Sequence, residues 1–172
     1  MTKDTFTLLA AYNRAANEKM GALLGTLSGE EWTRDFGGFF PSAGSLCAHL
    51  YVCDYIWLGR FYSLPGVSQD GREFFTQKKY AFREAYCFPR DEFLGMRSDL
   101  DQRLAGFIEA LDEGLLAKNF SYTNSRGDVT EKSFAGLLLH LFNHQTHHRG
   151  MVSVYLDMLG KDNDFNMIQP VL

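Results

Sequence analysis

Apolar positions recur every three and four residues in four stretches of this chain, and that spacing predicts four long amphipathic helices. The first runs over residues 5–27, with Phe6, Leu9, Ala16, Met20, Leu23, Leu24 and Leu27 on one side. Thr2 or Asp4 can cap its start. Ser28 followed by Glu31 is a capping-box pair and opens a short helical turn. Residues 36–42, with paired glycines and a proline among three phenylalanines, read as a loop. Ser42 or Ser45 then caps a second long helix reaching Phe61. The third starts at Pro89, carries Asp91 and Glu92 in its first turn, and runs to Leu111. Ser133 caps the fourth, which ends near Leu159 and Gly160, a helix-terminating glycine. Between the last two helices, residues 120–132 alternate around a Gly127-Asp128 turn and predict a two-stranded hairpin. A short helix is expected within residues 73–82. The tail, residues 164–172, holds apolar Phe165, Met167 and Ile168 and is expected to pack back.

The predicted fold class is therefore all-α, a four-helix bundle with a small β-hairpin inserted before the last long helix. With 172 residues and 45% apolar content, the chain fits one domain over residues 1–172 with a core of its own. No repeat, linker or low-complexity tract interrupts it.

Charge and cysteine content narrow the function. A net charge of −4 with no basic stripe argues against nucleic acid. No apolar run approaches the length of a membrane span, and the start of the chain has no signal-peptide pattern. Cys47, Cys53 and Cys87 are odd in number and form no CxxC motif, which fits a reducing compartment. The expectation is a cytoplasmic protein acting on a small molecule, without nucleic-acid or membrane partners.

The chemistry concentrates in the fourth helix. Of the five histidines, His140, His144, His147 and His148 fall here. His144 and His148, four residues apart, share a helix face and can grip one divalent ion. Imidazole suits zinc, nickel, copper or iron(II) rather than calcium or magnesium. His49, on the predicted second helix, is the third ligand expected. A single histidine is more often a satisfied core or surface residue than a ligand; the clustering and register here favour the metal reading. Gln145 follows His144 where the HExxH proteases carry glutamate, which argues against their mechanism. His140 lies one turn before His144 on nearly the same face, and could replace a ligand, add a fourth or, the reading favoured, simply pack; His147 points about 100° from His148 and reads as a supporting or structural residue. Cys53 shares the face of His49 and reads more readily as a small buried residue than as a ligand. Asp54 could orient a ligating imidazole but reads more readily as an ion pair with Arg60 or Arg149. The phenylalanine loop before the second helix can line a pocket above the ion.

Pro41-Ser42, Leu46 to His49, Asp54 and Trp57 to Arg60 resemble the second-helix signature of the DinB / YfiT-like superfamily, and Asn143 to Gly150 closely resembles its C-terminal motif. The motif usually continues with glutamine, where Met151 stands. The resemblance spans the second helix to the end. It implies an up-down-down-up bundle, often dimeric, with a divalent metal, zinc or nickel ahead of iron or manganese, on His49, His144 and His148. It further implies a metal-dependent enzyme activating water or a low-molecular-weight thiol, as a thiol S-transferase or a hydrolase. The rival expectations are a non-catalytic metal-binding or stress-related dimer, its site closed by His140 or Cys53, and a degenerate member without metal.

Overall fold

The four long helices form as their patterns require, each started by a local signal. The computed structural model describes residues 1–82, 84–124, 126–165 and 168. Helix α1 spans Lys3–Leu24, with the Thr2 side chain accepting from the Thr5 amide. Helix α2 spans Gly29–Thr33 behind the Ser28–Glu31 capping box. Helix α3 spans Ala43–Phe61; Ser42 is its N-cap and exchanges side-chain and backbone hydrogen bonds with Ser45. Helix α4 spans Arg90–Ala110, after Pro89. Strands β1 (Asn119–Thr123) and β2 (Val129–Ser133) pair antiparallel. Ser133 closes the ladder and caps helix α5, Phe134–Met158.

Cross-helix contacts give the direction of each helix. On α1 and α4, Lys3 donates to the Glu109 carbonyl at 2.6 Å, Asn17 bonds Asp101, and Gly21 faces Leu94, so the two run antiparallel. On α3 and α4, Asp54 meets Arg97 and Phe61 meets Phe107, a parallel pair. On α3 and α5, Phe61 meets Phe134, Trp57 meets His140, and His49 meets His148, an antiparallel pair. The long helices α1, α3, α4 and α5 therefore run up-down-down-up. The interior between them is filled by Phe6, Leu50, Leu58, Phe61, Leu100 and Phe134, all fully buried. Each such side chain contributes about 1.5–3 kcal/mol through removal from water.

The middle of the bundle is not apolar. Asn13 and Asn17 of α1, Asp54 of α3, Arg97 and Asp101 of α4, and Gln145 and Arg149 of α5 are all buried. Arg97 donates to Asp54 and to Asp101 at 2.7 Å each. Gln145 donates to Asp54, Asn13 and Asn17 donate to Asp101, and Arg149 donates to Asn13. Two carboxylates thus face two guanidiniums, and one network ties all four helices together.

Three expectations change. The helix expected within residues 73–82 is only a 3-10 turn over Arg72–Thr76; the Tyr55 hydroxyl donates to the Phe74 carbonyl at 2.7 Å and buried Phe75 stacks on Tyr62, pinning the segment in a non-helical path. The first helix stops at Leu24, before Leu27, which stays buried without being helical. Asp54 pairs with neither Arg60 nor Arg149, because Arg97 of the parallel neighbour α4 lies nearer. In the tail, Phe165 is buried as expected, while Met167 lies outside the described residues.

Candidate metal centre

The antiparallel packing of α3 on α5 brings His49 opposite the His144–His148 register. The ring centroids are 5.1 Å apart for His49 and His144, 4.7 Å for His49 and His148, and 4.4 Å for His144 and His148. The Nε2 atoms of His49 and His144 stand 3.2 Å apart. Cys53, one turn after His49, places its sulfur 3.6 Å from both ring nitrogens of His49. One donor atom from each of His49, Cys53 and His144 lies within 4.8 Å of the other two, a group that could hold a metal ion. His148, the third ligand expected with His49 and His144, is not in that donor group; its ring packs against both of theirs, and its Nδ1 is buried with no hydrogen-bond partner among the described residues.

The donor set suits a borderline ion such as zinc. With bonds of about 2.0–2.1 Å, two imidazole nitrogens on a tetrahedral ion stand about 3.3 Å apart, close to the separation of His49 and His144. Electrostatics prepare the rings for this role, since a ligating imidazole must be neutral. Burial, with His144 beside it, holds His49 down to about 4. Burial and then His148 bring His144 to about 3, and burial and then His49 bring His148 to about 4. Burial pushes the Cys53 thiol up to about 12, with Asp54 adding to the rise and Arg60 opposing it.

Of the remaining candidates, His140 is exposed against Trp57 and lies outside the donor group. His147 is exposed and touches the His148 ring at 4.8 Å. Asp54 reaches Gln145 and Arg97 rather than an imidazole, so it steadies the helices that carry the cluster. The phenylalanine loop does cover the site. Phe40 lies 4.4 Å from the His49 ring, and its carbonyl accepts from the Tyr155 hydroxyl at 2.6 Å. A Cβ at Gly38 would collide with that hydroxyl, which explains a glycine there.

Two cavities flank the cluster. One, of about 350 Å³, lies between Phe39, Phe40, Val52, Phe82 and Tyr86 with His49 in its wall. The other, of about 290 Å³, is bounded by Cys53, Trp57, Arg60, Tyr122, Asn124, His140 and His144, again with His49. A buried-side histidine group opening onto two cavities can both hold an ion and admit a small molecule.

Residues 1–164 match the family model described as DinB family. The chain belongs to the DinB family. A curated member, Protein DinB of Bacillus subtilis (strain 168), is 26% identical over 152 residues, covering 88% of this chain and 84% of that protein. The crystal structure of a DinB-like protein from Bacillus subtilis matches with a TM-score of 0.61 at 15% identity, over 90% of this chain and 94% of the other. At that identity the likeness concerns the bundle itself. No helix of this DinB-family chain is long and apolar enough among its described residues to cross a membrane.

The depressed imidazoles give the DinB-family chain a definite acid response. In the unfolded chain each takes a proton near its ordinary 6.5; in the fold, His49 and His148 wait until about 4 and His144 until about 3. Between these values the unfolded chain binds more protons, so stability drops as pH falls below about 6.5. Asp54, raised by burial to about 6, and Asp101, also raised by burial, act in the opposite direction, as two groups against three. The thermal midpoint of metal-free protein is expected to fall between about pH 7 and about pH 4.5, and His144→Asn should flatten that slope. A midpoint that stays level in the unsubstituted protein would count against neutral imidazoles.

Proposed function

We propose that this DinB-family chain is a divalent-metal-dependent enzyme whose ion, zinc or nickel before iron or manganese, is held by His49, His144 and His148. The observation that supports the reading is three imidazole rings from two helices packed against one another, with centroids 4.4–5.1 Å apart, beside two cavities. A bound ion supplies Lewis acidity, lowering the pKa of a coordinated water or thiol. The chain's own residues frame the reactants: Phe40 covers the rings of His49 and His148, Trp57 lines the cavity beside Cys53 and His144, and the paired cavities can take two small molecules at once. Thiol S-transfer fits that duality best. The thiol loses its proton to solvent water, a carbon–sulfur bond forms on the electrophile, and the leaving group departs with its bonding pair. Water in place of the thiol gives hydrolysis. The reading includes a homodimer in the cytoplasm, after the resemblance of its motifs.

A second reading is favoured by one specific observation, the sulfur of Cys53 among the donors. Were it a ligand along with the three imidazoles, the ion would be closed by four protein groups and structural. Tag-free protein should carry about one ion per chain, and metal-reconstituted protein should consume an electrophile with at least one member of a panel of low-molecular-weight thiols. His49→Ala should abolish both. Bound metal with no turnover and no exchangeable water ligand would favour the structural reading, and absence of metal would defeat both.

A further inference from the structure

Arg60, on the last turn of α3, has no ion pair with a carboxylate among the described residues. Its guanidinium carbon lies 4.9 Å from the rings of Trp57 and Phe82 and 5.2 Å from that of Tyr122. One Nη donates to the Thr123 carbonyl at 2.8 Å. Three aromatic faces and one backbone acceptor thus fix the plane of a half-buried cation while leaving most of its five donors uncommitted among the described residues. Arg97, by contrast, commits its guanidinium to two carboxylates.

The position of Arg60 gives this cation a use. It stands in the wall of the cavity that holds Cys53, His140 and His144. It also stands in the wall of a neighbouring cavity of about 610 Å³, together with Arg72, Lys78 and Lys79, and among the described residues no aspartate or glutamate lines that cavity. Tyr122 of the hairpin belongs to both walls. Four cations without an acid, on a chain of net charge −4, make a local field that draws small anions toward the histidines.

We infer that the small molecule taken at this site is an anion whose carboxylate or phosphoryl group is received by Arg60 while its other end reaches the histidine cluster. The planar fork of arginine can meet either group with two parallel hydrogen bonds. Lys78 and Lys79, both exposed, steer the anion without fixing it. This deepens the enzyme reading and rests on the cluster being a small-molecule site.

Trp57 reports on Arg60 by contact, so tryptophan fluorescence can follow binding to metal-free protein. The probes are succinate, inorganic phosphate, and neutral succinamide as control. Saturable binding is expected for succinate or phosphate, the stronger of the two identifying the group, and none for succinamide. Arg60→Gln should weaken binding by about tenfold or more. Arg60→Lys should recover only part, because an ammonium lacks the fork. Lys78→Gln with Lys79→Gln should weaken it by about threefold or less. Unchanged affinity in Arg60→Gln, equal binding of succinamide, no anion binding at all, or binding lost in the lysine variant but kept in Arg60→Gln would each overturn the inference. Should Arg60→Gln fail to fold, Arg60→Lys must still lower the affinity. Metal titration of the same proteins separates the two readings: unsubstituted protein that takes no metal defeats the enzyme proposal and leaves the anion result standing, and Arg60→Gln should bind metal normally.

Discussion

Arg97→Met is expected to destabilise the protein by about 3–5 kcal/mol near neutral pH. Arg97 is 4% exposed and bonds Asp54 and Asp101, themselves 1% and 3% exposed, at 2.7 Å each. Methionine fills much of the same volume, so the loss is not chiefly a cavity. What remains is two buried carboxylates with amide donors from Gln145, Asn13 and Asn17 and with Arg149 as a nearby cation. The variant can escape part of the penalty by taking up protons. Burial already holds Asp54 up at about 6 against the opposing guanidinium, and without Arg97 it must rise further. A carboxyl raised in the fold above its unfolded value contributes stability that is lost as pH rises, so the deficit should be larger at about pH 7.5 than at about pH 5. Urea unfolding at both values measures it. A deficit below about 1 kcal/mol at the higher pH would mean the pair is not what holds α3 to α4. The triple replacement Asp54→Asn, Arg97→Met, Asp101→Asn should recover much of the loss, since removing a buried ion set together costs far less than stranding part of it.

That network also marks where the sequence stops being readable. Helices α1, α3, α4 and α5 follow from apolar spacing, and their starts from Thr2, Ser42, Pro89 and Ser133, because caps and periodicity act within a few residues. The hairpin follows from its turn for the same reason. The partners of Asp54 depend instead on which helix lies beside α3, a tertiary choice. The signal was present: Arg97 and Asp101 stand on the ladder of Phe93, Leu100 and Leu104, so polar residues were destined for the core. Naming Arg97 rather than Arg60 or Arg149 needed the parallel packing of α3 on α4. Residues 73–82 went astray because helical spacing there is overridden by the hydroxyl of Tyr55, and the first helix overran because buried Leu27 continues its apolar pattern beyond the helix. At the site, the spacing of His144 and His148 carries its own meaning on any helix. Cys53 does not, since a cysteine one turn from a histidine looks alike whether it lines a core or a metal centre.

His144→Ala is expected to cost at least about a hundredfold in metal affinity, more than the loss typical of a residue that only supports a ligand. The Nε2 of His144 stands 3.2 Å from that of His49, and His144 belongs to the donor group with His49 and Cys53. His140→Ala should leave affinity nearly unchanged, because that ring is exposed and leans on Trp57. The metal-free His144→Ala protein should melt no lower than its parent near neutral pH. The ring it loses is a partly desolvated group crowded by the four other histidines rather than a partner in the buried ion network. Stabilisation on adding metal, which in the parent grows with the ratio of free ion to Kd, should vanish with it. Cys53→Ala and His148→Ala then divide the remaining ligand positions. With cobalt in place of the native ion, loss of a sulfur-to-metal charge-transfer band in Cys53→Ala at unchanged stoichiometry would make the sulfur a ligand and the site closed. Retention of the parent spectrum in Cys53→Ala, with affinity lost in His148→Ala, would give the three-histidine site and leave a position open for substrate. Equal affinities for His144→Ala and His140→Ala would sink both assignments, since no ion held between α3 and α5 could be indifferent to the ring that bridges them.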